Sequence, residues 1–248
     1  MEKNLLNVSN LNVKVEDKHI LKDVNLEIGY GETHVLMGPN GTGKSSLGFA
    51  IAGNPIYDVI GGSIYFDGED ILELETDKRA KLGLFLSFQN PMEIPGLSVE
   101  SILKTAYEQV KGTRISTFKF RKLIKNQMEL LQIPESYIER DLNVGFSGGE
   151  KKKLEMLQLL ILEPKLAILD ETDSGLDVDA VKTVSKAVRA YHENCNGSLI
   201  IITHSTKILE SLKVDYTHIM INGHIAKTGD VSLVEKINEK GFEAFMSN

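Results

Sequence analysis

The stretch that decides the fold is GPNGTGKS, residues 38 to 45. It follows a short apolar run at residues 35–37 and precedes a stretch that favours a helix from about residue 44 to residue 52. Glycines let successive backbone N–H groups turn toward a phosphate, and the N-terminus of the following helix adds positive potential. The stretch predicts a phosphate-binding loop. A plain surface glycine turn is the alternative, which the strand-before, helix-after context disfavours.

Two side chains of this loop have predicted roles. Lys44 is placed to reach the β- and γ-phosphates of a nucleotide, and the Ser45 hydroxyl to hold Mg²⁺. The candidate nucleotide-binding residues are the loop and the start of its helix: Gly38, Pro39, Asn40, Gly41, Thr42, Gly43, Lys44, Ser45 and Ser46.

A second apolar strand, residues 166–169, runs directly into Asp170 and Glu171. An apolar strand that ends in two acids is common and usually structural. Beside a phosphate loop, however, it predicts that Asp170 holds the metal and that Glu171 polarises an attacking water. Together the two motifs indicate hydrolysis of a nucleoside triphosphate.

Length and composition narrow the class of protein. The chain has 248 residues and a formal net charge of −7, which disfavours a nucleic-acid partner. Apolar runs such as residues 199–202 are far too short to cross a membrane, and the first residues do not resemble a signal peptide, so we expect a cytoplasmic protein without direct membrane insertion. Cys195 is the single cysteine, which excludes an internal disulfide and a cysteine metal cluster within one chain.

The remaining pattern predicts an α/β fold. The first thirty residues alternate apolar and polar side chains, which favours antiparallel strands. Residues 98–110 and about 116–132 have helical spacing, with no strand signal between them, and predict a helical subdomain inserted into the α/β core. Strands at residues 83–88, 166–169 and 199–202, with a helix at 178–191, predict a parallel sheet, and residues 216–221 and 224–227 predict a hairpin through Asn222-Gly223.

The order of the motifs resembles that of the ABC-type ATPases. After the phosphate loop come Gln89, Ser147-Gly148-Gly149, Asp170-Glu171, Ser174-Gly175-Leu176-Asp177 and His204. The resemblance implies one ABC ATPase domain over residues 1–248, with a P-loop parallel core sheet, an antiparallel β subdomain and an inserted helical subdomain at about residues 90–150. It also implies Mg²⁺-dependent hydrolysis of ATP.

The resemblance assigns a role to the Ser-Gly-Gly motif. ABC ATPases work as head-to-tail dimers, so it implies a transient ATP-dependent homodimer in which Ser147 and Gly149 hold the ATP on the partner chain. A structural alternative is that Ser147 caps the following helix and Glu150 completes a capping box. Both roles can hold together.

The other motif residues carry family roles as well. Gln89 resembles the residue that senses Mg²⁺ and the γ-phosphate, which makes Ser45, Gln89 and Asp170 the predicted metal residues. His204 resembles the histidine that contacts the γ-phosphate, and Asp177 the aspartate that links the two sites. For Gln89 and His204 the structural alternative is an ordinary polar residue at a strand end.

Three stretches resemble the SUF branch of the family, the ATPases of an iron–sulfur cluster assembly system: FQNPMEIPG (88–96), NVGFSGGEKKK (143–153) and LDETDSGLDVDA (169–180). The resemblance implies SufB/SufD-type scaffold proteins as partners, on which clusters would form because this chain has one cysteine. The ATPase subunit of a membrane importer and a non-transport switch, whose output is dimerisation itself, are the alternatives.

Two further expectations concern this branch. We expect Met92, Ile94 and Pro95 at the partner surface, the alternative being that they pack inside the helical subdomain. We also expect Lys152 to pair with Glu171 or Asp173 and so to restrain the general base.

Overall fold

A mostly parallel six-stranded sheet lies at the centre of the fold. The computed structural model describes residues 4–204 and 207–245. The strands of this sheet, in spatial order, are β12 (His224–Gly229), β11 (Tyr216–Ile221), β3 (Thr33–Met37), β10 (Ser198–Ile202), β9 (Leu166–Asp170) and β6 (Leu84–Leu86). Strand β12 runs antiparallel to β11, and the other neighbouring pairs are parallel.

The parallel strands fix where the site lies. Every residue of β3, β9 and β10 is buried, which explains their continuous apolar runs in the sequence. Because these strands and β6 run in one direction, the segments that follow them meet at one edge of the sheet. That edge receives Gly38, Glu171, His204 and Gln89. The predicted strands are thus confirmed, although the one expected at residues 83–88 spans only Leu84–Leu86.

A second, antiparallel sheet packs beside the first. Its strands, in spatial order, are β2 (Lys18–Ile28), β1 (Leu6–Val15), β4 (Asp58–Phe66) and β5 (Glu69–Asp70). The alternating pattern of the first thirty residues correctly predicted β1 and β2. Strand β4 was missed because Gly61 and Gly62 interrupt its alternation, and Gly62 adopts a positive φ of 92°.

Seven helices are present in the described ranges. They are α1 (Lys44–Ala52), α2 (Thr76–Leu82), α3 (Val99–Lys111), α4 (Thr117–Leu130), α5 (Gly148–Leu162), α6 (Val178–Cys195) and α7 (Ser232–Lys240), with short 3₁₀ turns at Glu135–Glu139, Leu209–Ser211 and Glu243–Phe245. Helices α3 and α4 confirm the two predicted from helical spacing, whereas α2 and α7 were missed. A two-stranded ribbon of β7 (Ile94–Ser98) and β8 (Asp141–Leu142), also missed, brackets α3 and α4. The limits of a helical subdomain at about residues 90–150 stay a prediction.

The central sheet separates two apolar cores. On β9, Ala167 and Leu169 face a core formed with α3 to α6, while Leu166 and Ile168 face a core formed with α1 and the antiparallel sheet. Successive residues of a strand point to opposite faces, so one buried strand serves both cores. In the described part of the chain, none of the helices combines the length and the hydropathy that a bilayer span requires.

Helix α1, which starts at the phosphate loop, is anchored at its far end by a buried arginine. Arg79 on α2 is only 4% exposed, and burial lowers the pKa of its guanidinium. The guanidinium donates hydrogen bonds to the carbonyls of Ala50 (3.0 Å) and Ile51 (2.9 Å) in the last turn of α1. It also donates to Leu72 and Leu74, at 2.8 Å each. A cation at a helix C-terminus satisfies carbonyls that the helix itself leaves unpaired.

We expect Arg79→Met to lower the free energy of unfolding by about 2–4 kcal/mol, because four backbone carbonyls lose a charged donor, and the hydrogen bonds to Ala50 and Ile51 are buried. Urea denaturation of the two chains measures the difference. Arg189→Met on α6 is the matched control, since its pair with Glu193 is exposed and should change stability by less than ~0.5 kcal/mol. Equal losses in the two variants would contradict the anchoring role.

Candidate active site

The loop between β3 and α1 has the close backbone approach that its glycines suggest. A Cβ on Gly38 would lie 2.1 Å from the carbonyl oxygen of Met220 on β11, so no larger residue fits there. Gly43 adopts a φ of 101° directly before α1, a conformation that favours glycine. The first N–H groups of α1 are therefore presented toward the space above the loop.

Lys44 is buried at the start of α1 and is held by the loop itself. Its Nζ donates hydrogen bonds to the carbonyls of Gly38 (2.8 Å) and Pro39 (3.0 Å). Burial lowers the pKa of Lys44, while the nearby charges of Glu171 and Asp170 act in the opposite direction. The loop thus fixes an ammonium group next to the two acids at the end of β9.

Asp170 ends β9 with a side-chain oxygen that is available for a ligand. Its Oδ1 is buried and has no hydrogen-bond partner within the described residues. Burial raises the pKa of Asp170, and a hydrogen bond with Ser45 partly offsets that effect. The backbone N–H of Asp170 is fixed by the hydroxyl of Ser87 at 2.9 Å. An orphaned carboxylate oxygen beside a hydroxyl is an oxygen donor set that suits Mg²⁺.

Glu171 lies where three strands end. Its backbone adopts a positive φ of 47°, and its N–H donates to the carbonyl of Ile202 at 2.9 Å. One carboxylate oxygen accepts a hydrogen bond from Nε2 of Gln89 at 2.6 Å, and the other lies 3.5 Å from Nε2 of His204. The segments after β6, β9 and β10 therefore place an amide, a carboxylate and an imidazole in one cluster.

The phosphate loop, Gln89 and Glu171 border an open cavity of about 430 Å³. It is lined by Ile20, Asn40, Gly41, Gly43, Lys44, Ser45, Ser46, Gln89 and Glu171. Two other predicted residues lie beside the lining: the Thr42 hydroxyl donates to the carbonyl of Pro39 at 2.9 Å, and the Asp170 carboxyl lies near Ser45, which acts to lower the pKa of that carboxyl. The cavity combines backbone N–H groups, a lysine, a hydroxyl and a carboxylate, which is the equipment for binding and hydrolysing a nucleoside triphosphate.

The Ser-Gly-Gly motif lies apart from this cavity. As far as the described residues go, neither Ser147 nor Gly149 belongs to its lining. Ser147 and Gly148 are exposed, and a Cβ on Gly148 would meet no described atom within 4 Å. The fold of this chain therefore does not require glycine at residue 148. Asp177, the other residue assigned to a link between sites, caps α6 by accepting the N–H of Ala180 at 2.7 Å.

A protein-family model described as ABC transporter matches residues 21–174, more than half of the chain. This chain belongs to the ABC transporter family. It is an ATPase of the ABC type and binds ATP, as the sequence predicted.

Individual relatives of this ABC ATPase match over nearly their full length. The probable ATP-dependent transporter SufC of Escherichia coli (strain K12) is 45% identical, with 96% of this chain and 97% of the relative covered. Vegetative protein 296 of Bacillus subtilis (strain 168) is also 45% identical, with 98% and 94% covered. The resemblance to the SUF branch is thereby confirmed.

Solved structures show the same fold. The ATP-binding cassette MJ0796, in a dimeric post-hydrolysis state bound to ADP and Pi, superposes with a TM-score of 0.79 at 19% identity, with 91% of this chain and 98% of that chain covered. A nucleotide-free cassette from an ABC transporter gives 0.77 at 21% identity, with 99% and 100% covered. The predicted fold class is thus that of an ABC cassette.

The start of helix α5 is stabilised by a capping box, as the structural alternative for Ser147 predicted. The Ser147 hydroxyl accepts the N–H of Glu150 at 3.3 Å, and Glu150 accepts the N–H of Ser147 at 2.7 Å. Its other carboxylate oxygen accepts the hydroxyl of Tyr137 at 2.5 Å. The guanidinium of Arg140 lies 3.8 Å from the ring centre of Phe146. Phe146 and Glu150 therefore both have partners among residues 137–140.

The expected pairing of Lys152 with Glu171 or Asp173 is wrong. Lys152 is buried on α5, and its Nζ bonds to the carbonyl of Phe88 at 2.5 Å and to Glu155 at 3.1 Å. Asp173 instead accepts the hydroxyl of Thr203 at 3.1 Å. Residue 152 lies on the buried face of α5, where Phe88 and Glu155 take up its ammonium group.

Several residues at the site were not predicted. Ser87 fixes the backbone of Asp170, and Ile20 gives the cavity an apolar wall. Tyr137 and Arg140 hold the start of α5 from about ten residues upstream in the chain.

We expect Tyr137→Phe to lower the free energy of unfolding by about 1 kcal/mol, because Glu150 loses a hydrogen bond at the start of α5. Urea denaturation tests this against Tyr107→Phe, which removes a hydroxyl from α3 in the same region. Unchanged stability in the Tyr137 variant would show that the hydrogen bond to Glu150 does not stabilise the start of α5.

Proposed function

We propose that this ABC ATPase works as an ATP-dependent pair of chains that drives SufB/SufD-type scaffold proteins in iron–sulfur cluster assembly. One observation carries the pairing: the Ser-Gly-Gly motif is exposed and lies outside the cavity of its own chain. Nearly full-length similarity to a protein named SufC supports the assembly role. A cytoplasmic location belongs to the same proposal.

Within one chain, the residues divide the work of hydrolysis. Lys44 and the N–H groups of the loop stabilise phosphate charge, and Glu171 orients and polarises the attacking water. Ser45 and Asp170 would hold Mg²⁺, assisted by Gln89, and the ion would neutralise charge on the phosphates. His204 lies next to Glu171 and supplies a hydrogen bond to the γ-phosphate.

The second chain completes the site. A serine hydroxyl and the first N–H groups of a long helix form an anion-binding surface, and in this chain that surface faces outward. Gly148 is not required by its own surroundings, and its missing side chain would let a phosphate approach closely from outside, which supports the proposal. Ser147 and Gly149 therefore act on the ATP of the partner chain.

Glu171→Gln should lower kcat by at least ~100-fold and leave ATP bound between two chains, because the amide cannot take a proton from water. Size-exclusion chromatography with light scattering should show twice the 27.5 kDa mass of the single chain when ATP and Mg²⁺ are present. Glu235→Gln, an exposed position on α7, serves as the control and should behave as the unmodified chain. Substantial turnover without a dimer would overturn both assignments.

Residues 91–96 provide an exposed apolar surface for a partner. Met92 is 79% exposed and Pro95 is also exposed. Ile94 is half-buried against the core, which agrees with the alternative that it packs inside the helical subdomain. Two contacts hold the segment in place. The side-chain amide of Asn143 donates to the carbonyl of Met92 at 2.8 Å, and Glu93 forms an ion pair with Lys151 at 2.9 Å. A large exposed apolar side chain on a fixed segment is typical of a docking position.

Met92→Glu should weaken binding of the scaffold partner by at least ~10-fold without changing the melting temperature, because the side chain has few contacts within its own chain. Pull-down with the tagged chain and a thermal melt give the two values. Val231→Glu, on another exposed apolar position, should bind normally. If Met92→Glu bound the partner as well as the control did, this surface would be excluded.

The assembly role itself is tested by purification from the native cells without detergent. A co-purifying soluble complex with cysteine-bearing scaffold proteins would support it. Clusters should lie on those proteins, because Cys195 is the single cysteine here and burial raises the pKa of its thiol. Recovery only from detergent-solubilised membranes, with a polytopic protein, would favour the importer alternative.

A further inference from the structure

A buried ion pair on α5 has no part in the hydrolysis described above. Lys152 and Glu155 lie one turn apart, and each side chain is 5% exposed. Burial raises the pKa of Glu155, against the stabilising effect of Lys152. A buried ion pair is often no more stabilising than apolar residues of the same volume. Its presence on this helix therefore needs a reason other than stability.

Both charged groups bind the backbone of one residue, Phe88. Glu155 accepts the N–H of Phe88 at 2.6 Å, and Lys152 donates to its carbonyl at 2.5 Å. The ladder of the central sheet extends as far as Ser87, whose N–H bonds to Ile168. Phe88 directly follows this last hydrogen bond of the sheet, and the ion pair binds the peptide units on both sides of Phe88.

The next residue is Gln89, whose amide reaches Glu171 at 2.6 Å. The carbonyl of Phe88 and the N–H of Gln89 belong to one planar peptide unit, so a bond to the first constrains the second. A path of short contacts thus runs from α5 to the catalytic carboxylate.

We propose that Lys152 and Glu155 are positioning residues that tie the signature helix α5 to Gln89 and thereby set the place of its amide against Glu171. The inference rests on the roles proposed for Gln89 and Glu171. It predicts that the pair acts on turnover through Gln89, whereas a purely structural pair would act on stability alone.

The test is a double replacement, Lys152→Met with Glu155→Leu, in the full-length chain. Apolar residues of similar size should keep the fold, although the loss of both bonds to Phe88 should lower the melting temperature by a few degrees. We expect kcat for ATP to fall roughly 10- to 100-fold, because the Gln89 amide is no longer held against Glu171. Affinity for a fluorescent ATP analogue should stay within about threefold, since the phosphate loop is untouched. The exposed pair Arg189→Gln with Glu193→Gln is the matched control and should change none of the three values.

A double-mutant cycle with Gln89→Ala separates this proposal from the proposed function. If the pair acts through Gln89, the same replacement in the Gln89→Ala chain should cost less than about a further twofold in kcat. Independent, multiplying losses would overturn the proposal, as would an unchanged kcat in the chain that retains Gln89. If Gln89→Ala alone had no effect on kcat, the role assigned to Gln89 would fail. If replacing the pair nevertheless lowered kcat, the effect could not act through Gln89, which would also overturn the proposal.

Should the double replacement not fold, Glu155→Gln provides a second measurement. The amide oxygen still accepts the N–H of Phe88, but the buried charge opposite Lys152 is removed. We expect a smaller loss of kcat, again absent from the Gln89→Ala background. Equal losses in both backgrounds would contradict the proposed path.

Discussion

The parallel direction of four neighbouring strands is the constraint on which the site depends. Strands β3, β10, β9 and β6 all end at one edge, so residues separated by more than a hundred positions meet there. Glu171 touches Gln89 and His204 for this reason, and Asp170 reaches Ser45. The strands can run in parallel because both faces of the sheet are covered, one by α3 to α6 and the other by α1 with the antiparallel sheet.

The same edge explains why one chain carries two anion-binding features that do not meet. The phosphate loop starts α1 at the edge of the sheet, whereas the Ser-Gly-Gly motif starts α5 on the helical side. Each is a helix N-terminus with free N–H groups, and each suits a phosphate. Their own chain does not bring the two features to one cavity, and the proposed pairing of two chains rests on this observation.

Local patterns in the sequence predicted those parts of the fold that depend on local chemistry. The phosphate loop, the acids after β9 and the capping box at Ser147 are each set by a few adjacent residues. Contacts between distant segments could not be predicted in this way. Nothing near Arg79 indicates that it caps α1, and nothing near Tyr137 indicates that its hydroxyl meets Glu150.

The error over Lys152 has a different cause. Lys152 was expected to pair with Glu171 or Asp173. Residues three, four and seven positions after Lys152, however, are Glu155, Met156 and Leu159, and all three are buried. This spacing places Lys152 on the inner face of α5. The helical period could have located Lys152, but not its bond to Phe88.

The bonds of Lys152 and Glu155 to Phe88 give the two buried charges a structural role. An apolar pair would fill the same space, yet it would leave the N–H and carbonyl of Phe88 without partners beyond the end of the β6 ladder. Hydrogen bonds to charged groups are stronger than those between neutral ones, and they are directional. Helix α5 also holds Glu93 through Lys151. The segment from Phe88 to Glu93 is therefore attached to α5 at both ends.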